Sequence, residues 1–224
     1  MKSYYSEVLS AKRLRACYEV APKRTKQYLD AEISHVFEKV SQEMTVLELG
    51  CGYGRVLKKL AIKKCSIIGI DTSIASLKLA NEYLTNDLTI HLIAMNAVNM
   101  GFSTQSFDLT LCIQNGVSAF HVDQSTLFKE AVRVTRKGGL LLFSSYADEF
   151  WPHRMEWFEA QAAEGLIGPI DYEATGNGVI VCKDGFQATT MDGDGFKSLA
   201  EKVGQKARIF EVDHSSIFCE IIVQ

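Results

Sequence analysis

The run VLELGCGYGR, Val46 to Arg55, holds the residues whose types and spacing could do chemistry: Glu48, Gly50, Cys51, Gly52, Gly54 and Arg55. Glycine tolerates positive φ and lets backbone approach a ligand closely. Three glycines two apart at the end of an apolar run therefore describe a loop laid against a small molecule. Asp71 closes the next apolar run, SIIGI at 66–70, 21 residues after Gly50. A carboxylate at that place can accept from both hydroxyls of a ribose. Its competing role is a helix N-cap, with Thr72 and Ser73 as rivals. Arg55 has the guanidinium to hold a ligand carboxylate, or stands solvated at the start of a helix. Cys51 lies beside a helix N-terminus, where a thiol can be activated, although a small residue between glycines is ordinary in such a loop.

The surrounding elements must place these side chains. MTVLEL (44–49) reads as a strand, followed by a helix from about Tyr53 to Ile62. SIIGI, a helix from Ser73 to Leu84, LTIHLI (88–93), FDLTLCI (107–113), a helix from Asp123 to Thr135 and GLLLFSSY (139–146) continue the alternation. This pattern implies an α/β fold with a parallel sheet and helices on both faces; unbroken apolar strands fit burial on both sides. Before the first strand, 22–40 reads as an amphipathic helix opened by Pro22, and 9–18 as a shorter one. After Tyr146 the pattern changes. Residues 151–166 look helical, and the turn signals TGNG and KDG imply a small antiparallel hairpin within 170–191. A helix from Gly195 to Val203 follows, and ARIFEV and SIFCEIIV close the chain as an antiparallel pair. Ligands of an open parallel sheet sit at the carboxyl ends of its strands, near the point where strand order reverses. Gly50–Gly54 and Asp71 both fall at such ends. No repeat or long linker divides the 224 residues, so one domain over 1–224 is expected.

Composition bounds the partners. A net charge of -3, with 47% hydrophobic and 23% charged residues, describes an ordinary globular chain and argues against a dedicated nucleic-acid binder. Lys12, Arg13, Arg15, Lys23, Arg24 and Lys26 form a local basic exception, read as a solvated helix face or an anion site. No apolar run approaches the roughly 20 residues that span a bilayer, and MKSYYSEVLS lacks the apolar core of a signal peptide. Six cysteines are scattered without CxxC or zinc-ligand spacing. A reduced, cytoplasmic protein without a metal site is expected. The sequence carries no signature of oligomeric state.

Both NAD and S-adenosylmethionine fit a glycine loop followed by an acid. Dinucleotide binders use GxGxxG because a pyrophosphate must rest on the helix N-terminus; here the pattern is GxGxG. Glu48 would repel a pyrophosphate and suits a ligand carrying an ammonium and a sulfonium. Electrostatics thus favour S-adenosylmethionine. VLELGCGYGR, IIGIDTS, FDLTLCIQNGVSAF and EAVRVTRKGGLLLFSSY together resemble the class I S-adenosylmethionine-dependent methyltransferases, over about Thr45 to Tyr146. The resemblance implies a Rossmann-like, seven-stranded, mostly parallel sheet whose last strand is antiparallel. It also implies that Glu48, Gly50, Cys51, Gly52 and Gly54 surround the methionine part of the cofactor, and Asp71 the ribose. Thr72 and Ser73 would lie beside ribose and adenine, and Gln114, Asn115 and Gly116 would floor the site beneath the sulfonium. The family often has an acid after the third strand, where this chain has Asn96. An amide oxygen can also accept from the adenine amino group, with Ala97 offering its backbone N–H; an ordinary turn is the alternative for Asn96.

Methyl transfer from a sulfonium is an in-line displacement in which the cofactor carries the reactivity. The protein mainly positions the acceptor and excludes water, so no compulsory triad is expected. His121, after QNGVSAF, and His153, in WPHRMEW, are the candidate bases. Two segments are expected to form a lid over the acceptor: a helical arm at 1–40 and an inserted helix and hairpin at 147–192. Tyr4, Tyr5, Tyr18, Trp151, Trp157 and Phe158 would supply its rings, which could exclude water or meet a cationic acceptor. The residues thus point to a methyltransferase for a small-molecule acceptor. An RNA or protein methyltransferase using Lys12–Lys26, an NAD-dependent oxidoreductase and a non-catalytic S-adenosylmethionine-binding protein are the alternatives.

Overall fold

The computed structural model describes residues 10–85 and 89–224; Tyr4 and Tyr5 lie outside the described residues. Among the described residues, two helices, α1 (Ala11–Glu19) and α2 (Lys23–Lys39), precede the sheet. The alternating region then runs β1 (Thr45–Leu49), α3 (Arg55–Leu60), β2 (Ser66–Asp71), α4 (Ile74–Leu84), β3 (Ile90–Ala94), β4 (Phe107–Cys112), α5 (Gly116–Ala119), α6 (Gln124–Val134) and β5 (Thr135–Tyr146). Helix α7 (Trp151–Ala163), β6 (Ile180–Val181), β7 (Gln187–Ala188), α8 (Gly193–Lys202), β8 (Ala207–Val212) and β9 (Ser216–Ile222) complete the chain.

Seven strands pair in the order β3-β2-β1-β4-β5-β9-β8. The pairings from β3 through β5 are parallel, whereas β9 runs antiparallel to both β5 and β8. The expected sheet and its antiparallel last strand are therefore present. Strand order reverses at β1, whose neighbours are β2 and β4, with Glu48 opposite Gly69 on one side and Leu111 on the other. Each sheet face is covered by helices whose apolar stripe has been buried. Ile33 and Val36 of α2, Leu57 and Leu60 of α3 and Ala80 of α4 pack on one side. Leu127, Phe128 and Ala131 of α6 and Phe196 and Leu199 of α8 pack on the other. A third cluster stands apart from both faces: Cys17, Tyr28, Leu29, Trp157, Phe158, Ile180 and Phe186 join α1, α2, α7 and the hairpin. No described helix is long and apolar enough to cross a membrane.

Three local expectations shift. The helix anticipated from Tyr53 begins at Arg55, because Gly54 takes φ 85° as its N-cap, and it ends in a 3-10 turn at Ala61–Lys63. Strand β5 starts four residues earlier than GLLLFSSY, since Thr135 already pairs with Phe107 before a register shift admits the Arg136–Gly139 bulge. The hairpin is smaller than 170–191 suggested: β6 and β7 have two residues each, supplemented by an isolated bridge between Ile170 and Cys182.

Candidate active site

A cavity of about 660 Å³ opens at the carboxyl ends of β1 to β5. Its floor is the glycine loop. Gly50 N and Cys51 N both donate to Ile70 O, at 2.8 and 2.9 Å, which pins the loop to the end of β2. Gly52 N donates to Asp71 Oδ2 at 2.9 Å, and Ser73 N to Asp71 Oδ1 at 2.7 Å. Asp71 therefore braces the loop it was expected to serve beside. Burial raises its pKa above the ordinary carboxylate value, and the N–H donors of Ser73, Gly52 and Thr72 oppose that rise. The helix N-cap belongs to Ser73, whose hydroxyl accepts from Ser76 N, not to Asp71. Gly50 has to be glycine: its φ is +72°, and a Cβ would run into the Phe120 ring.

Above this floor lie buried polar groups that the chain itself does not satisfy. Glu48 is 5% exposed, and its Oε2 has no hydrogen-bond partner. Desolvation pushes its carboxyl up to about 8, with Arg55 pulling it down and Asp71 pushing it further up. Nε and Nη2 of Arg55 are buried without hydrogen-bond partners, and its guanidinium sits 4.9 Å from the centre of the Tyr18 ring. Gln114 Nε2 is likewise unpartnered, although Gln114 Oε1 accepts from Tyr18 OH at 3.3 Å. Buried polar groups without partners cost roughly 1–3 kcal/mol each, more when charged. A ligand bearing both a carboxylate and an ammonium relieves that cost at Arg55 and Glu48, so the residues fit the amino-acid end of S-adenosylmethionine.

Most of the sequence-derived residues meet at this cavity. Glu48, Gly50, Cys51, Gly52, Arg55, Asp71, Thr72, Asn96, Ala97, Gln114, Asn115, Gly116, His121 and Tyr18 all line it. Asn96 also does what a turn residue does, its Oδ1 accepting from Val98 N at 3.1 Å. Asn115, at φ 61°, turns its amide away to donate to Thr189 O and accept from Ser145. Burial holds the Cys51 thiol far above its ordinary pKa, which makes it inert as a nucleophile. Four residues are not brought to the cavity wall. Gly54 caps α3, Ser73 caps α4, and Trp151 packs in the third cluster. His153, a candidate base, has a side chain 44% exposed and points to Glu156 at 3.8 Å.

The opposite wall contains residues the glycine motif does not announce. Leu14 and Cys17 of α1, Tyr146 of β5, Trp157, Phe158 and Gln161 of α7, and Phe186 to Ala188 of the hairpin line it. Among the described residues, these elements bring no acidic or basic side chain to the cavity. Helix α1 is tied to the elements around the cavity. Arg13 donates to the carbonyls of Gly165 and Leu166 at 2.6 and 2.8 Å, Trp157 Nε1 to Cys17 O at 2.7 Å, and Ala11 N to Ser76 Oγ at 2.9 Å. Much of the basic exception is thereby spent internally, for Arg15 pairs with Glu19 and Arg24 with Asp213.

Comparison with known proteins agrees with this geometry. A family model described as a methyltransferase domain matches residues 46–139. A malonyl-[acyl-carrier protein] O-methyltransferase of Legionella pneumophila is 31% identical over 138 residues, covering 60% of this chain and 48% of the relative. Among solved structures, a protein of Pyrococcus horikoshii OT3 superposes with a TM-score of 0.68 at 17% identity, covering 100% of both chains. An S-adenosylmethionine-dependent methyltransferase of Methanosarcina mazei superposes with a TM-score of 0.63 at 18% identity, covering 84% of this chain and 95% of that one. At such identities the likeness is one of fold. The chain spans about half or less of the curated relatives it matches, 36%, 48% and 52% of three of them.

Proposed function

We propose that this protein, whose residues 46–139 form a methyltransferase domain of the S-adenosylmethionine-dependent class, transfers a methyl group to a small, uncharged acceptor by in-line displacement. One observation carries the reading. The loop amides of Gly50, Cys51 and Gly52 are donated inward to Ile70 and Asp71, while Oε2 of the buried Glu48 and Nε and Nη2 of the half-buried Arg55 are left without partners. A pyrophosphate needs free N–H donors at such a loop and finds a carboxylate instead. A zwitterionic amino acid finds one charge for each of its own. NAD chemistry is disfavoured for the same reason.

When bound, S-adenosylmethionine supplies an electrophilic methyl group on sulfur. The chain's part is to bind, orient and keep water out. Glu48 and Arg55 take the amino-acid end, Asp71 keeps the loop closed while facing the ribose, and Asn96 and Ala97 edge the adenine. The aromatic wall of Tyr18, Tyr146, Trp157, Phe158 and Phe186 holds a flat or apolar acceptor against the methyl. Such positioning alone can lower a barrier by roughly 7–11 kcal/mol. The absence of acidic and basic side chains on that wall, among the described residues, supports an acceptor without fixed charge. It also weighs against an RNA substrate, as does the internal use of Arg13, Arg15 and Arg24. An O-methyltransferase of ubiquinone biosynthesis is among the relatives, which is compatible with an oxygen acceptor here.

Calorimetry tests the cofactor: S-adenosylhomocysteine should bind and NAD should not, and the reverse preference would overturn the assignment. A screen of phenols, aryl amines, carboxylates and RNA for S-adenosylhomocysteine release then tests the acceptor. Turnover confined to the carboxylates or to RNA would refute an uncharged small molecule.

A further inference from the structure

Glu32 is a buried titratable group that cofactor binding does not use. It lies on α2 at 0% exposure, in line with Tyr28, Leu29, Ile33 and Val36 on the apolar stripe. Its two oxygens face the hydroxyls of Ser144, Ser216 and Tyr28. None of these approaches has closed into a full hydrogen bond, and the Tyr28 hydroxyl is equally unengaged. Tyr28 is also buried, one helical turn before Glu32 on α2, with its ring 5.3 Å from that of Tyr146. Tyr146 lines the cavity on the acceptor wall. A file of ionisable groups thus leads from the acceptor to a carboxylate sealed from solvent.

The geometry points to a proton relay in which Tyr146 touches the acceptor and Tyr28 passes the acceptor's proton on to Glu32. This inference rests on the methyl-transfer reading and adds a route for the acceptor's proton, which that reading leaves unassigned. In the balanced step, the acceptor's lone pair forms the bond to the methyl carbon, and the electron pair of the broken S–C bond stays on sulfur. The acceptor's proton moves to Tyr146 Oη, the proton of Tyr146 to Tyr28 Oη, and that of Tyr28 to a Glu32 oxygen. No tyrosinate has to persist, which suits two phenols that burial holds above their ordinary pKa, Tyr146 at about 12. The carboxyl itself is suited to take and release a proton near neutrality, since desolvation pushes it up to about 7 against the pull of Ser144, Ser216, Arg55 and Tyr28. The titratable and charged neighbours of Glu32 are Arg55 of α3, Tyr18 of α1, Tyr28 of its own helix and Tyr146 of β5. Tyr146 in turn faces Arg154 of α7, whose guanidinium lies 4.7 Å from the Tyr146 ring centre and draws the phenol's pKa down. Tyr146 is then the catalytic residue, and Tyr28 and Glu32 act through it.

Infrared spectroscopy on the free, full-length protein tests the relay without any acceptor. A protonated-carboxyl band should vanish as pH rises through neutrality in the native protein and be missing from Glu32→Gln. After a pH jump, the band's relaxation should slow by about tenfold or more in Tyr28→Phe and in Tyr146→Phe, because the proton's path to the cavity is cut. A structural role alone would move the midpoint and leave the rate. Should Glu32→Gln not fold, Glu32→Asp assigns the band through its altered frequency. Either of two results overturns the relay: no band assignable to Glu32 near neutrality, or native relaxation rates in Tyr28→Phe. S-adenosylhomocysteine binding by the native protein, measured alongside, separates failure of the relay from failure of the methyl-transfer reading.

Discussion

Replacing Glu48 by glutamine should make the protein more stable and a poorer host for its cofactor, with both effects set by pH. In the folded chain burial raises the Glu48 carboxyl from its ordinary value of 4.5 to about 8. A folded-state pKa above the unfolded one means that the folded form holds the proton more tightly. The stability this gives is complete below pH 4.5 and is lost as pH rises toward 8. At pH 7 the loss spans about 2.5 pH units, and at about 1.4 kcal/mol per unit it amounts to about 3 kcal/mol. The glutamine amide keeps the shape of the glutamate side chain without its titration, so Glu48→Gln should gain up to about 3 kcal/mol at pH 7 and almost nothing at pH 4. Glu32 titrates in the same range, and for that reason the quantity to measure is the difference between native and variant. Urea unfolding at several pH values supplies it. Binding adds the complementary sign: an ammonium requires Glu48 ionised, so S-adenosylhomocysteine should release a proton on binding below about pH 8. Calorimetry in buffers of different ionisation enthalpy detects that proton in the native protein and should find none from Glu48→Gln. Parallel stability curves, or equal proton release, would refute the buried, unpaired carboxylate on which the site is built.

Three further outcomes follow from named contacts. Asp71→Ala removes the acceptor for Gly52 N and Ser73 N as well as the carboxylate proposed to face the ribose. It should weaken S-adenosylhomocysteine binding by about 1–3 kcal/mol, and calorimetry giving native affinity would take Asp71 out of the site. Gly50→Ala should abolish that binding, because the residue is at φ +72° and its new Cβ would enter the Phe120 ring; retained affinity would mean that Phe120 moves freely. Trp157→Phe deprives Cys17 O of its donor and should destabilise the fold by about 1–3 kcal/mol, with faster proteolysis within α1. Unchanged cleavage of α1 would show that the clasp between α1 and α7 holds nothing.

The sheet and the crevice at its strand ends were legible because they rest on local signals. Apolar runs bounded by glycine and turn residues gave β1, β2, β4 and β5, and the alternation with helices gave their parallel pairing. The glycine spacing, with Glu48 before it and Asp71 after it, placed the crevice at the reversal of strand order. Reach failed where the decisive contact is distant in sequence. Thr135 joins β5 because its hydroxyl meets that of Thr110, 25 residues away, at 2.7 Å. Nothing local distinguishes it from a last helical turn. Helix α5 escaped because Gly116–Ala119 continues an apolar strand and turns only after Gln114 and Asn115 take positive φ. His153 was a fair candidate by residue type, but the helix that carries it presents Trp157 and Phe158 to the cavity and leaves His153 outward.

Two carboxylates show where a sequence signal stops and a physical one begins. Glu48 interrupts an apolar strand and Glu32 an apolar helical stripe, and in each case the chain buries a charge its neighbours would rather exclude. Burial of that kind costs several kcal/mol per ion unless the group is protonated or finds a cation. The strand glutamate announces itself, since a glycine loop follows immediately. The helix glutamate has no motif beside it, and its neighbours Ser144, Ser216 and Tyr146 come from strands more than a hundred residues later. The charge of Arg55 acts on both, pulling each carboxyl toward ionisation. A bound ligand carboxylate would draw on that same cation. Loading the crevice should then weaken the hold of Arg55 on Glu32 and make Glu32 the stronger base at the moment an acceptor arrives.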